Sequence, residues 1–225
     1  GALAKIIAER KNIGEVLADG SYRAALKIGK KKNQNLLKYA IQVKGIGVGA
    51  HGIRSSLDYP MEISYACSVQ GGDHTSVAFL PITGPSSEFK VLFHDSGVYC
   101  SFNAMLVKID FLFEFANAVT GWNLSHDDWY QDIAPRIINM QRAALLLGGP
   151  DVKWDESSDD NPQRFYEPLP SGPKKGEMVN ESEFQKLKKE YYKEVGWDEH
   201  GIPTSEELIR LDLEQIDEIL EKKIR

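Results

Sequence analysis

Apolar positions recur at helical spacing through most of the chain. Between residues 2 and 18, Leu3, Ile6 and Ile7, then Ile13, Val16 and Leu17, fall three and four apart. That pattern predicts a helix, with Gly20 as its stop. Tyr22, Ala25 and Leu26 mark one side of a second helix running from about Ser21 to Gly29, and Asn35 to Tyr39 reads as a further helical turn. Ile41-Gln42-Val43 is the best short strand candidate. Gly45 to Pro60 is rich in Gly and polar residues and reads as an irregular crossover between two structural units. Ala104 to Val119, with Leu106, Ile109, Phe113 and Ala116, is apolar nearly all round and predicts a buried helix.

The second half is more plainly helical. Ser125 followed by Asp128 makes a capping-box-like start, with Asp127 and Asp128 at the positive end of the helix dipole. Trp129, Ile133, Ile137, Met140, Ala144 and Leu147 then form one apolar stripe. Pro135 interrupts it and predicts a kink, because the ring removes the bond to the Gln131 carbonyl. Gly148-Gly149-Pro150 ends the helix. Residues 151 to 176 show little periodicity, and a loop of that length is functional or wraps a neighbouring domain. Asn180 and Glu183 cap a helix carrying Phe184, Leu187 and Tyr191, stopped by Gly196. Thr204 with Glu207, and Asp212 with Gln215, open two terminal helices. Strand signals are scarce and no internal repeat is present. The expected fold class is all-α, multihelical.

Composition narrows the function classes. The chain has 225 residues, 42% hydrophobic and 27% charged, with a formal net charge of -6. That is enough for one or two domains with a core. The acidic balance argues against non-specific nucleic-acid binding, which depends on Lys and Arg neutralising phosphates. The run Lys30-Lys31-Lys32 is short and reads as a solvated turn. No apolar run approaches the roughly 20 residues that span a bilayer, and the opening residues lack a signal-peptide pattern. Two cysteines, Cys67 and Cys100, are too few for a disulfide framework and suit a reducing compartment. The expected location is cytoplasmic.

Two short segments could carry chemistry. In Gly71-Gly72-Asp73-His74-Thr75-Ser76 the glycines allow a tight turn or a close approach to a ligand, and His74 can transfer a proton near neutral pH. The bland alternative is a turn with a satisfied histidine. A zinc site is a third option, although His51, His94, His126 and His200 show no ligand spacing with either cysteine. In His94-Asp95-Ser96-Gly97-Val98-Tyr99-Cys100, Asp95 can accept hydrogen bonds from a bound heterocycle. Cys100 can ligate an iron–sulfur cluster, but a conventional cluster needs four cysteines. Read alone, Cys100 is a buried structural thiol.

Taken in order, the segments resemble the aldehyde ferredoxin oxidoreductase family over nearly the whole chain, from Ile7-Ala8-Glu9-Arg10-Lys11-Asn12-Ile13-Gly14 to about Pro203. Leu17-Ala18-Asp19-Gly20 and Arg23-Ala24-Ala25 look like the stretch closing that family's middle domain. Val43-Lys44-Gly45, Met61 and Tyr65-Ala66-Cys67-Ser68 are similar to its "VKG…GM…YATS" segment. Asn117-Ala118-Val119-Thr120-Gly121-Trp122 and Arg136-Ile137-Ile138-Asn139 resemble its later helices. Glu167 to Gly176 and Gly196 to Thr204 resemble its tail. The resemblance divides the chain into residues 1–44, the end of the middle helical domain, and residues 45–225, the C-terminal helical domain.

The resemblance implies a tungsten (or molybdenum) bis-pterin and a [4Fe–4S] cluster, which oxidise aldehydes to carboxylic acids and pass electrons to ferredoxin. His74 corresponds to a histidine near the metal that donates a hydrogen bond or proton to an oxygen there or on the aldehyde. Asp95 corresponds to the aspartate of a "DxxGxC" pterin-binding motif, and Cys100 to that motif's cysteine, the distant fourth ligand of the cluster. Asp73 stands where many relatives have Cys, Gln70 where Arg is common, and Val98 in the motif's glycine slot, with Gly97 one place early. The remaining cluster cysteines, the first pterin aspartate and an N-terminal β domain are implied to lie outside these residues, in an N-terminal half or partner subunit. Self-association is left open. Two alternatives remain: the tungsten subunit of a related reductase such as benzoyl-CoA reductase, and a non-catalytic helical interaction module.

Overall fold

The computed structural model describes residues 1–49, 64–73, 75, 86–104, 106–148 and 154–225. His74 and the part of the expected crossover beyond residue 49 lie outside the described residues. Among the described residues, helices dominate, and the sheet is one two-stranded antiparallel hairpin pairing Val43 with Ile46. The all-α expectation therefore holds. The chain divides into two compact units: Gly1–His74 with Ser158–Gln185, and Thr75–Ser157 with Lys186–Arg225.

The first unit opens differently from the single helix expected over residues 2–18. Helices Ala2–Ala8 and Ile13–Leu17 are separate, joined by a turn in which Arg10 and Asn12 adopt positive φ. The two helices approach so closely that a Cβ on Gly14 would lie 2.0 Å from the Ile6 carbonyl oxygen. Gly20 does not stop a helix but begins the next one, Gly20–Lys32. The hairpin follows, and Gly71 and Gly72 lie against it. The Gly72 N–H donates to the Val43 carbonyl, and a Cβ on Gly72 would meet the Ile46 carbonyl oxygen at 2.1 Å. The double glycine is thus required by close packing on the hairpin.

Lys44 ties this unit together. Its Nζ lies 2.8 Å from Asp159 Oδ1 and donates to the Ala66 carbonyl at 2.6 Å, with both members of the ion pair buried. One side chain therefore links the hairpin, the short helix Ser64–Cys67 and the segment expected to be a long loop. That segment carries short 3-10 turns, Glu156–Ser158 and Gln163–Tyr166, and buries Asp159, Asn161 and Phe165.

In the second unit, the expected single buried helix over 104–119 is two pieces, Ser101–Ala104 and Ile109–Thr120. Only one face of the longer piece is buried, through Leu112 and Phe113. Asp110 sits in its first turn, where the dipole favours a carboxylate, which helps the helix restart there. The Ser125–Asp128 box forms as expected: Ser125 N–H donates to Asp128 Oδ2 at 2.8 Å, and Asp128 N–H donates to Ser125 Oγ at 3.1 Å. A π-turn, Asp128–Ile133, leads into the helix Ala134–Leu147, which begins anew with Pro135 in its first turn. The Gln131 carbonyl that Pro135 cannot bond accepts from Arg210 Nη1 at 2.9 Å instead.

Arg142 is fully buried in this unit. Its Nε donates to the Gly201 carbonyl at 2.7 Å, and its guanidinium lies 4.6 Å from the Trp197 ring centroid. Trp197 Nε1 donates to Asn139 Oδ1, while Asn139 Nδ2 donates to the Pro135 and Val195 carbonyls. Beside this network Ala143, Leu208 and Leu220 form an apolar core. Thr204 caps Ser205–Arg210, accepting from the Glu207 N–H. Asp212, expected to open the last helix, instead takes positive φ, and Glu214–Lys223 starts without a side-chain cap.

Replacing Asp159 with Ala strands the Lys44 charge in the interior, and removing one partner of a buried pair costs about 3–5 kcal/mol. Urea unfolding should show that loss for Asp159→Ala. The double variant Lys44→Met with Asp159→Leu should recover most of it, because no uncompensated charge remains.

Candidate functional site

The second unit holds two of the three residues expected at the site. The helix Ser86–Ser96 ends with Asp95, and the short helix Ser101–Ala104 begins after Cys100. Asp95 and Cys100 therefore bracket one turn, and both are exposed. The view of Cys100 as a buried structural thiol is corrected: it stands in solvent, and its backbone carbonyl accepts the first helical bonds, from Asn103 and Ala104. The structure brings Asp95 and Cys100 together on this turn. His74 lies outside the described residues, while its neighbours Gly71 and Gly72 are fixed against the hairpin in the first unit.

Aromatic packing positions the turn. Phe93 stacks on Phe113 with centroids 4.2 Å apart, meets Trp129 edge-on at 5.0 Å, and lies 6.0 Å from Tyr99. Trp129 Nε1 donates to the Phe89 carbonyl at 2.8 Å, and Tyr99 Oη donates to the Leu112 carbonyl at 3.4 Å. The rings of Phe93 and Tyr99 thus anchor both shoulders of the turn. Backbone bonds close it: the Tyr99 N–H donates to the His94 carbonyl at 2.7 Å, and the Val98 N–H to the Asp95 carbonyl at 3.1 Å.

Val98 adopts φ +56 and is almost fully exposed. A β-branched residue in the left-handed region is strained. The backbone at Val98 holds a left-handed bend that glycine would adopt freely. Gly97 cannot take over that role for Val98, and a Cβ on it would meet the Tyr99 ring at 2.4 Å.

His94, which the motif resemblance marks for no role, lies directly before Asp95. The imidazole is buried, and neither ring nitrogen has a hydrogen-bond partner among the described residues. Burial pushes its pKa below the ordinary histidine range, the Lys90 charge adds to the depression, and Asp95 opposes it. The signal that could have found it is a histidine placed on the apolar side of the helix directly before the exposed aspartate. Among the described residues no group of three or more His, Cys, Asp and Glu side chains could hold a metal ion. No helix there is long and apolar enough to cross a membrane.

The helical chain thus presents an exposed thiol and an exposed carboxylate on one anchored turn. Residues 2–213 match the family model for domains 2 and 3 of aldehyde ferredoxin oxidoreductase, and the chain belongs to that family. It is 53% identical over 214 residues to the WOR-like subunit of an aliphatic sulfonate oxidoreductase from Pyrococcus furiosus, covering 94% of this chain and 34% of that protein. Tungsten-containing aldehyde ferredoxin oxidoreductases from Pyrococcus horikoshii and Thermococcus kodakarensis are 31% and 30% identical, over 93% and 87% of this chain and 35% and 33% of theirs. The active-site complex BamBC of benzoyl-coenzyme A reductase shares the fold, with a TM-score of 0.64 at 18% identity, over 99% of this chain and 40% of that one. The chain spans about a third of the length of the curated relatives it matches.

Two outcomes follow. Val98→Gly relieves about 1–2 kcal/mol of left-handed strain, less about 0.5–1 kcal/mol for glycine's greater freedom when unfolded. Urea unfolding should show a small net stabilisation, with no packing lost.

The second concerns pH. The folded-state pKa of His94 is depressed, so below the ordinary histidine pKa of about 6.5 the unfolded chain binds a proton that the folded chain refuses. Stability from this residue is present above that pH and falls as pH drops below it, by up to about 1.4 kcal/mol per pH unit. His200 acts in the opposite direction. A hydrogen bond with Glu156 raises its pKa, so its contribution is present at low pH and lost as pH rises through the raised value. Comparing His94→Phe with the parent at pH 7.5 and 5.5 isolates the His94 part, and the variant should lose less stability on acidification.

Proposed function

We propose that this chain is the C-terminal part of a tungsten–pterin oxidoreductase. In this assignment residues 1–44 close the family's middle helical domain and residues 45–225 form its C-terminal one. The observation that carries it is the anchored turn with Asp95 and Cys100 both open to solvent, in a chain whose sequence matches that family from residue 2 to residue 213. The donor set fits the implied groups in kind. A thiol can become the thiolate that an iron–sulfur cluster takes, and a carboxylate accepts hydrogen bonds from pterin N–H groups. It is also incomplete, since one thiol cannot hold a [4Fe–4S] cluster.

When bound, the metal–pterin supplies the two-electron redox step. Asp95 would orient the pterin by accepting its N–H groups. Cys100, as thiolate, would be one ligand of the cluster that carries electrons away. His74 would hold or deliver the proton at the substrate oxygen. With an aldehyde as substrate, the bound groups would supply the redox chemistry that turns aldehyde and water into carboxylic acid, two protons and two electrons, with ferredoxin as the electron acceptor. A second substrate is favoured by one observation: the relative named for aliphatic sulfonates is 53% identical, against 31% and 30% for those named for aldehydes. On identity, a sulfonate ranks ahead of a simple aldehyde.

The test uses the protein completed by the N-terminal portion of the family architecture. Elemental analysis should find tungsten and iron, and Cys100→Ala combined with Asp95→Ala should lower both. Unchanged metal content in that variant would remove these residues from the cofactor site. His74→Ala should keep its metals and lose on the order of 10²–10⁴ in substrate-dependent viologen reduction. Running aliphatic sulfonates beside aldehydes decides the substrate.

A further inference from the structure

The helix Ile109–Thr120 carries an apolar stripe that its own unit leaves in solvent. Phe111, Phe115 and Val119 recur at four-residue steps, with Trp122 three further on, and their relative exposures are 55%, 54%, 72% and 66%. Steps of four keep Phe111, Phe115 and Val119 on one helix face, and Trp122 is exposed just past the Gly121 cap that ends the helix. The Phe111 and Phe115 rings lie 6.5 Å apart along it, while Phe113 serves the opposite side and Leu112 is buried at the stripe's edge. Leu106 and Val98, also exposed, extend the apolar surface in sequence back to the Asp95–Cys100 turn. Large apolar groups clustered this way mark an interaction surface, whereas single exposed ones need no explanation.

Two facts bear on what covers it. The chain matches domains 2 and 3 of its family and spans about a third of its relatives' length, so a large part of the architecture lies outside these residues. The exposed thiol and carboxylate at the start of the apolar stretch form only part of a cofactor site, and the polypeptide that completes it has to come up to that turn. A second copy of this chain would leave the site as incomplete as before.

We propose that the stripe Phe111, Phe115, Val119 and Trp122 is the docking face for the N-terminal portion of the family architecture, so that closing the cofactor site and burying the stripe are one event. This rests on the cofactor site proposed above. The partner surface is apolar and opposes a helix face whose charges are Asp110 and Glu114, with Asp110 lying 2.9 Å from His126 Nε2.

Hydroxyl-radical footprinting of the complete protein tests this, with oxidation at Phe111, Phe115 and Trp122 referred to the urea-unfolded protein. Several-fold protection is expected, and a photo-crosslinking residue at Val119 should link to the N-terminal portion. Oxidation close to the unfolded rates would overturn the proposal, as would crosslinks joining two copies of this chain. The footprint and metal analysis also separate the two claims. A protected stripe in a protein without tungsten upholds docking and removes the cofactor assignment. Bound tungsten with an exposed stripe removes docking alone.

Discussion

A charge taken out of water has to be matched where it is buried, and both units of this chain are organised around that requirement. In the first, the Lys44 ammonium meets Asp159 and the Ala66 carbonyl, drawing together three segments distant in sequence. In the second, the Arg142 guanidinium meets the Gly201 carbonyl and the Trp197 face, locking the long helix to the tail. A Cβ on Gly201 would come within 2.5 Å of Arg142 Nη2, so glycine there is a condition of burying the arginine. Desolvating a charge is costly unless donors and acceptors are placed around it, which makes such pairs demanding of geometry. Register in the tail and in the hairpin follows from meeting that demand.

The turn with Asp95 and Cys100 inherits its rigidity from the second unit without sharing its burial. Phe93 and Tyr99 plant both shoulders in the aromatic cluster, yet Asp95, Ser96 and Val98 between them, and Cys100 just beyond, face water. A group meant to bind something beyond the chain needs this combination of fixed backbone and open side chain. Val98 adds to the picture, because it holds a left-handed bend that only glycine adopts without strain. The strained residue shows that the surroundings impose the bend.

Local signals were legible in the sequence, and contacts between distant segments were not. The Ser125–Asp128 box, the Asn180 and Thr204 caps and the break at Pro135 each depend on residues within a few positions, and each formed. The first helix split because Gly14 packs against the Ile6 carbonyl, which no periodicity reports. The helix expected to be buried all round has one open face, because apolar pattern records a preference for burial without saying whether the partner is in the same chain. Motif resemblance singled out Asp95 and Cys100, and the structure shows both exposed on one turn. The buried His94 and the role of Lys44 depend on packing that residue type does not encode.

That last distinction bears on function. Eight of the seventeen large exposed hydrophobics among the described residues fall between Val98 and Trp122, a stretch of the chain that starts at the site turn. Elsewhere the buried cations and caps find partners within their own unit. A domain that folded only for itself would have no reason to concentrate its open apolar surface beside an open thiol and carboxylate, since that surface forgoes burial worth roughly 25 cal/mol per Å². The arrangement makes sense when the same partner that brings the remaining cofactor ligands also takes up the apolar face. In the proposed role Cys100 acts only when held close to further ligands, and an apolar contact following the same turn in sequence would be a physical means of holding it there.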